Sequence, residues 1–326
     1  MIATTRLRRG IVDSPVRWRR PARMATVSLV LPLALAARPS TVSSRSSPVR
    51  RATVTASARF VAVRAVPDRT LEAAARVMRL RLRDLATSGK VVVADGSLDV
   101  SVQDSTRRAA ATVLQVLGSS GQLWIRPVLC GAPSYDRPTR GTAPPHGRLP
   151  ACPSAYRYSA RYWDNSNGNS QYSPGHADYA PLARFPSTSS LYDLSHPNRP
   201  VLLSSGLGGL APRYLLGPAA ASSAIVQRAQ AKRTDFGGWL VVIAFTRSGG
   251  RLFNRIAASH FHELLANDVD GIVVSAPLIL SRSFNGAAQL SGFTKASAWA
   301  LASELSSGPL PVSLRMVSAT SVKQRA

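Results

Sequence analysis

The amino-acid sequence predicts an α+β protein, and three observations carry that reading. Short runs of period-two alternation give way repeatedly to stretches with an apolar period near 3.6. Hydrophobic residues make up 45% of the 326 positions and charged residues 17%, which is a globular balance. The stretch from Asp270 to Leu314 then reads, in order, as turn, strand, loop, strand, capped helix and strand.

Residues 1–56 are expected to be a leader. Positions 1–23 are basic, and 24–37 form an apolar run too short for a bilayer, which needs about 20 residues. The run fits the core of a signal peptide, with Ala34 and Ala36 spaced for cleavage, although Met24 is an alternative start. Residues 38–56, rich in Ser, Thr and Arg, read as a linker.

Residues 57–130 read as a compact unit. Phe60, Ala62 and Arg64 alternate with Val61, Val63 and Ala65 in a strand. A helix from Asp68 to Ala86 carries the stripe Leu71, Ala74, Met78, Leu82 and Leu85, and Gly89 is expected to end it. Asp95-Gly96 joins two strands, Val91–Val93 and Leu98–Val102, as a hairpin. A second helix, Ser105–Leu117, turns Ala109, Val113 and Leu117 inward, and Leu123–Leu129 is a further strand. That order is the one of a ferredoxin-like half sandwich.

Residues 131–211 hold eleven of the 23 prolines and seven of the eight tyrosines, so an irregular, partly disordered insertion is expected there. Gly206-Leu207-Gly208-Gly209 lacks the spacing of a phosphate-binding loop. Residues 212–307 form a second α+β unit. Trp239–Phe245 is apolar on both faces and should be a central strand. The next helix puts Leu252, Ile256, His260 and Leu264 on one side. Thr294 caps the following helix, Gly308 ends it, and Ala298, Leu301, Ala302 and Leu305 share its inner face. Residues 308–320 return as a strand.

The net charge is +25, and 37 of the 41 basic residues are arginine. Arginine-rich codon usage accounts for this as well as attraction to anionic lipid or nucleic acid does. Eleven arginines against one acid, Asp13, lie in residues 1–55, so much of the excess is a tail. Nucleic-acid binding is not expected, because no motif supports it and the aromatics are not interleaved with the arginines. Cys130 and Cys152 form a candidate disulfide if the chain is exported and are two thiols if it is not.

No catalytic constellation is present. His260-Phe261-His262-Glu263 suggests a metal, but on a helix positions i and i+2 point about 200° apart, and no third ligand lies at i+4. No serine sits in a nucleophile elbow and no carboxylate pair stands out. Neither an enzyme, nor a cofactor, nor a metal site is expected.

Several blocks resemble the large extracytoplasmic domain of SecD, the accessory subunit of bacterial Sec-dependent protein export. They are VMRLRLRDLATSG, GQLWIRPVL, RYLLGPAA, GGWLVVIAFTRSGGRLFNRIA, VDGIVVSAP, SGFTKASAWALASEL and SGPLPVSL, in the family's order and spacing. The resemblance covers 57–129 and 212–320. It implies a base, residues 57–130 with 308–320, carrying an inserted head, residues 212–307. It also implies a non-enzymatic role on the outer side of the membrane, contacting unfolded preprotein beside SecF and the Sec channel subunits. The basic leader would meet an anionic membrane surface. The runner-up is a stand-alone envelope adaptor or a truncated relic no longer coupled to Sec. The family continues into membrane helices, whereas this sequence has no apolar run of 18 residues, so the proton-conducting part is expected to be missing.

By position in the head, Ser275, Pro277, Phe284, Asn285 and Gly286 are the expected polypeptide contacts, through strand addition. Arg79 and Arg81 match the family's helix arginines and are expected to be solvated or packed on the sheet, while Ala86 replaces a glycine. Asn267 and Asp268 stand in a strand the family keeps apolar, and each should weaken it by about 1–3 kcal/mol if unsatisfied. The loop before Thr294 is one residue short. Both departures read as relaxed constraint.

Overall fold

The computed structural model describes residues 53–136, 148–156, 178–206, 211–235 and 237–324, all within the unit Arg50–Ala326. The expected signal segment, the glycine-rich run after Gly206 and much of the tyrosine-rich stretch lie outside the described residues.

Three sheets organise the chain. The first contains β1 (Thr53–Ala62), β2 (Ser88–Ala94), β3 (Ser97–Asp104) and β13 (Leu314–Gln324). Their order is β13-β1-β3-β2, with every neighbouring pair antiparallel. Helices α1 (Asp68–Asp84) and α2 (Arg107–Gly118) follow β1 and β3 and enclose a core of Phe60, Leu71, Met78, Leu98 and Leu117.

β1 starts earlier than the sequence reading allowed. Val54 and Ala56 extend the buried alternation of Ala58 and Phe60 into the stretch read as linker, and β13 pairs along the whole strand. Ala86, in the left-handed region with φ 51°, makes the turn after α1. Gly89 does not end that helix. It already lies in β2, where a Cβ would stand 2.6 Å from the Ser101 carbonyl oxygen. The Asp95-Gly96 hairpin forms as expected, with both residues at positive φ.

The second sheet contains β4 (Leu123–Ala132), β5 (Val201–Ser204), β6 (Arg213–Leu216), β7 (Ala221–Ser222), β10 (Leu265–Val269) and β11 (Ile272–Ser275). The order is β10-β11-β5-β6-β4-β7, and β10 also pairs with β4, so five of the strands close a ring. Val128, Val201, Leu203, Leu216, Ala266 and Val273 pack together as one cluster. On the other face of β4 and β10, Leu123, Ile125, Leu265 and Val269 join the core of the third sheet.

Two expectations change here. The strand after α2 does not join the first sheet; it crosses into the second. Within the supposedly irregular insertion, Val201, Leu202 and Leu203 are fully buried in a strand between β11 and β6. Proline and tyrosine dominated the composition of that region and masked a four-residue apolar strand.

The third sheet, β12-β9-β8, contains β8 (Val226–Arg233), β9 (Trp239–Phe245) and β12 (Ala287–Phe293). β9 is central, as predicted, but only Val241, Ile243 and Phe245 are buried; Leu240, Val242 and Ala244 are half-buried on the other face. Helix α5 (Lys295–Ser307) buries Ala298, Leu301, Ala302 and Leu305, and Thr294 and Ser297 form a reciprocal capping box. Helix α4 (Arg247–Ser259) buries Phe253 and Ala257 beside Ile256 of the expected stripe, while Leu252 packs half-buried on the same core and Leu264 is buried beyond the helix end. At Gly249 a Cβ would stand 2.5 Å from the Ile225 carbonyl oxygen, so the helix start packs directly on backbone. Among the described residues, no helix is long and apolar enough to cross a membrane.

Candidate functional site

An apolar groove of about 230 Å³ opens between β9, β12, α4 and the loop 276–286. It exceeds the ~150 Å³ cavity that admits benzene in a well-packed core. Pro277, Leu278, Leu280, Phe245, Phe253 and Phe284 line it. Phe253 stands edge-on to Phe284 at 5.1 Å and against Phe245 at 4.7 Å, so aromatic packing fixes the wall. Leu280, at 59% exposure, stands on the rim.

The loop is fastened at several points. Phe284 N donates to Asn254 Oδ1 at 3.0 Å, Ile279 N to the Glu263 carbonyl at 3.0 Å and Leu265 N to the Pro277 carbonyl at 3.1 Å. Asn285 and Gly286, with φ 47° and 78°, form a tight turn closed by Ala287 N donating to the Phe284 carbonyl at 3.0 Å. Of the five residues expected at the contact site, Pro277 and Phe284 meet in the groove. Asn285 and Gly286 shape the turn that presents Phe284. Ser275 does not line the groove itself; its Oγ accepts from Nδ2 of Asn267, which does, at 3.0 Å.

The two free strand edges of the third sheet differ. At Ala229 of β8, Ser306 Oγ accepts from the amide at 2.9 Å and donates to the carbonyl at 2.8 Å, which occupies the edge. β12 pairs with β9 alone among the described strands, and Ala288, Gln289 and Leu290 border the groove.

Arg81 is not solvated. Its side chain is fully buried where the chain leaves the first sheet and where it returns. Nη1 donates to the carbonyls of Val116 (2.8 Å) and Ser119 (2.6 Å), and Nη2 to those of Ser120 and Gly308 (both 3.2 Å). Nε donates to Ser307 Oγ at 3.0 Å. Glu304 accepts from Ser119 Oγ at 2.6 Å, and Asp270 accepts from Gly121 N (2.8 Å) and Gln122 N (2.9 Å). Burial lowers the Arg81 pKa, with Glu304 and Asp270 opposing that shift. Burial also pushes Glu304 up to about 7 and raises Asp270. The sequence did carry a signal, since Arg81 is i+3 from Met78 and i+7 from Ala74 on the buried stripe.

In β10, Asn267 and Asp268 both have hydrogen-bond partners. Asn267 bonds Ser275, and Asp268, fully buried, meets Arg126 Nε at 3.3 Å and accepts from Gly271 N at 3.0 Å. Arg126 also donates to Asp193 at 2.7 Å. Polar residues read as relaxed constraint are satisfied members of a buried network.

His260 pairs with Glu263 (Nδ1 to Oε2, 2.6 Å), and no group of three metal-ligating side chains occurs among the described residues. Cys130 and Cys152 are joined as a disulfide, with Cα atoms 6.2 Å apart.

The architecture is that of the mixed α+β domains of SecDF: the crystal structure of SecDF in its super-membrane-facing form matches with a TM-score of 0.51 at 17% identity, covering 82% of this chain and 30% of that one. Residues 208–312 match the family model of the SecDF P1 head subdomain. Two proteins named protein translocase subunit SecD are similar in sequence. That of Magnetococcus marinus is 39% identical over 90 residues, 27% of this chain and 17% of the relative. That of Endomicrobium trichonymphae is 39% identical over 85 residues, 26% and 18%. The likeness to the SecD extracytoplasmic domain therefore stands, and the aligned part is under a fifth of either relative's length.

Proposed function

We propose that this chain is a non-enzymatic SecD-like module of protein export that contacts unfolded polypeptide on the outer side of the membrane. The observation that carries the reading is the apolar groove, whose lining falls within the part matching the P1 head subdomain except for Leu123 and Ile125 of β4. Exported polypeptide is extended when it emerges, so its backbone can pair with the open edge of β12 while an apolar side chain enters between Phe253, Phe284 and Leu278. Pro277, Phe284 and Leu280 would make the contact, and Asn285-Gly286 would position it. SecF and the Sec channel subunits are the partners this reading implies, and the basic leader would add attraction to an anionic membrane surface.

The same reading assigns domains. Residues 53–118 with 314–324 form a ferredoxin-like base, because the order β13-β1-β3-β2 interleaves two split βαβ units. Everything between α2 and β13 is inserted into it, with the 212–307 stretch as the bulk of the head.

Binding of a fluorescent, permanently unfolded polypeptide, followed by anisotropy, tests the proposal. Replacing Phe284 with Asp should weaken binding about tenfold or more, since one buried aromatic anchor contributes on the order of 2 kcal/mol. Unchanged binding by a folded variant would refute the groove assignment.

A further inference from the structure

The buried ionic cluster in the ring of strands has no part in polypeptide contact, and its composition is unbalanced. Arg126, Asp193 and Asp268 all have side chains with 0% exposure. They come from three separate segments: Arg126 from β4, Asp268 from β10, and Asp193 from the short helix α3 (Ser190–Ser195). One guanidinium faces two carboxylates. Arg126 Nη2 reaches Asp193 Oδ1 at 2.7 Å and Nε reaches Asp268 Oδ2 at 3.3 Å. Its remaining nitrogen, Nη1, donates to the carbonyls of Pro197 (3.1 Å), Arg199 (3.3 Å) and Gly217 (3.0 Å). Asp193 Oδ2 is buried and accepts no hydrogen bond from any donor fixed by the backbone or by Arg126.

Two ionised carboxylates and one guanidinium would leave a net negative charge without water, which a protein interior does not tolerate. A single added proton resolves both problems. It neutralises the cluster and supplies the donor that Asp193 Oδ2 lacks. Among the described residues, no other cationic group acts on either carboxylate. Asp270, on the adjoining turn, adds negative charge, Trp124 presents its ring 5.9 Å from the Arg126 carbon, and His196, at the end of α3, is exposed.

We propose that Asp193, Arg126 and Asp268 form a proton-dependent latch, in which one proton held between the two carboxylates keeps α3 and residues 186–200 docked on the second sheet. Other contacts also hold the docked segment: Arg213 Nε of β6 donates to Ser187 Oγ at 3.3 Å and Ala219 N to the Pro197 carbonyl at 2.8 Å. Ser190 rests on the turn at Gly271, where a Cβ would stand 2.9 Å from the Ser190 Cα, and Thr188 exchanges hydrogen bonds with Leu202. Burial first, and then the neighbouring Asp193 charge, push Asp268 up to about 8; burial raises Asp193 as well. A carboxyl whose folded pKa is raised stabilises the docked state at low pH. That contribution is lost as the pH rises through the folded value. Docking therefore weakens as the pH rises toward about 8, and above that value the proton contributes nothing to it.

Hydrogen exchange of residues 186–204 between pH 6 and 10, corrected for the intrinsic rate, tests this. Wild-type protection should fall by up to about tenfold per pH unit from pH 6 to about 8, the limit for release of one proton on opening, and level off above it, where the docked state has already lost that proton. Amides of α1 should hold their protection over the same range. In Asp268→Asn the amide cannot lose its proton, so protection should be flat with pH. A flat wild-type profile, or an Asp268→Asn profile that falls like the wild type, would overturn the proposal. If that variant does not fold, carboxyl NMR of wild-type protein labelled at aspartate decides the matter. One buried aspartate should stay protonated to about pH 8, and full ionisation of all aspartates by pH 6 would rule the latch out.

Discussion

The guanidinium of Arg81 donates to the carbonyl oxygen of Gly308, 227 positions further along the chain, across 3.2 Å. The same guanidinium holds Ser119 and Ser120, where the chain leaves the first sheet. Both crossings between the first sheet and the rest of the described structure therefore meet at one side chain. Leu310 N donating to the Ser120 carbonyl at 2.8 Å ties the two crossings directly.

Arg81→Met should lower the unfolding free energy by about 3–5 kcal/mol, because it leaves buried carbonyls without donors and Glu304 and Asp270 without a counter-charge. Arg81→Lys should recover part of that loss, since an ammonium restores charge but not the planar fork. Urea denaturation of both variants measures the difference.

Glu304 makes this crossing sensitive to pH. Its carboxyl is raised from 4.5 to about 7 in the folded state. Its contribution is therefore fully present below about 4.5 and lost as the pH rises through 7. Denaturation midpoints across pH 4.5–8 should decline less in Glu304→Gln than in the wild type, and equal slopes would contradict the assignment.

Ala86 offers a stabilising change. A non-glycine residue at φ 51° costs about 1–2 kcal/mol, partly offset by the extra chain entropy a glycine loses on folding. Ala86→Gly should raise stability by about 0.5–1 kcal/mol, read from the thermal midpoint, with no effect on polypeptide binding.

The disulfide joins residues 22 apart, and the loop it closes carries the start of the tyrosine-rich stretch. Reduction should cost roughly 3 kcal/mol in the chain-entropy model. The loss should appear first around Leu182, Leu202 and Leu215, which pack against the cysteines, and exchange measurements with and without reductant would locate it.

Much of the fold was legible wherever local periodicity and final burial agree. The Asp95-Gly96 hairpin, the Thr294 cap and the inner face of α5 are set by neighbours a few residues away. What escaped depends on partners far along the chain. Leu123–Leu129 reads as a strand, but its sheet is decided by β10, some 140 positions later. Asn267 and Asp268 look unfavourable until Ser275 and Arg126 are placed beside them. The groove was half legible. Pro277 and Phe284 fell within the expected loop, whereas Phe245 and Phe253 entered only when β9 and α4 were packed against it.

The most direct test of the central claim is photo-crosslinking from position 280, on the rim of the groove, to a radiolabelled model polypeptide offered either unfolded or folded. The account predicts strong crosslinks to the unfolded form, little to the folded form, and loss of the signal when Phe284 is replaced with Asp. A crosslinker at position 232 of β8, on the occupied edge, should stay silent. Equal crosslinking from positions 280 and 232, or none from 280, would contradict it.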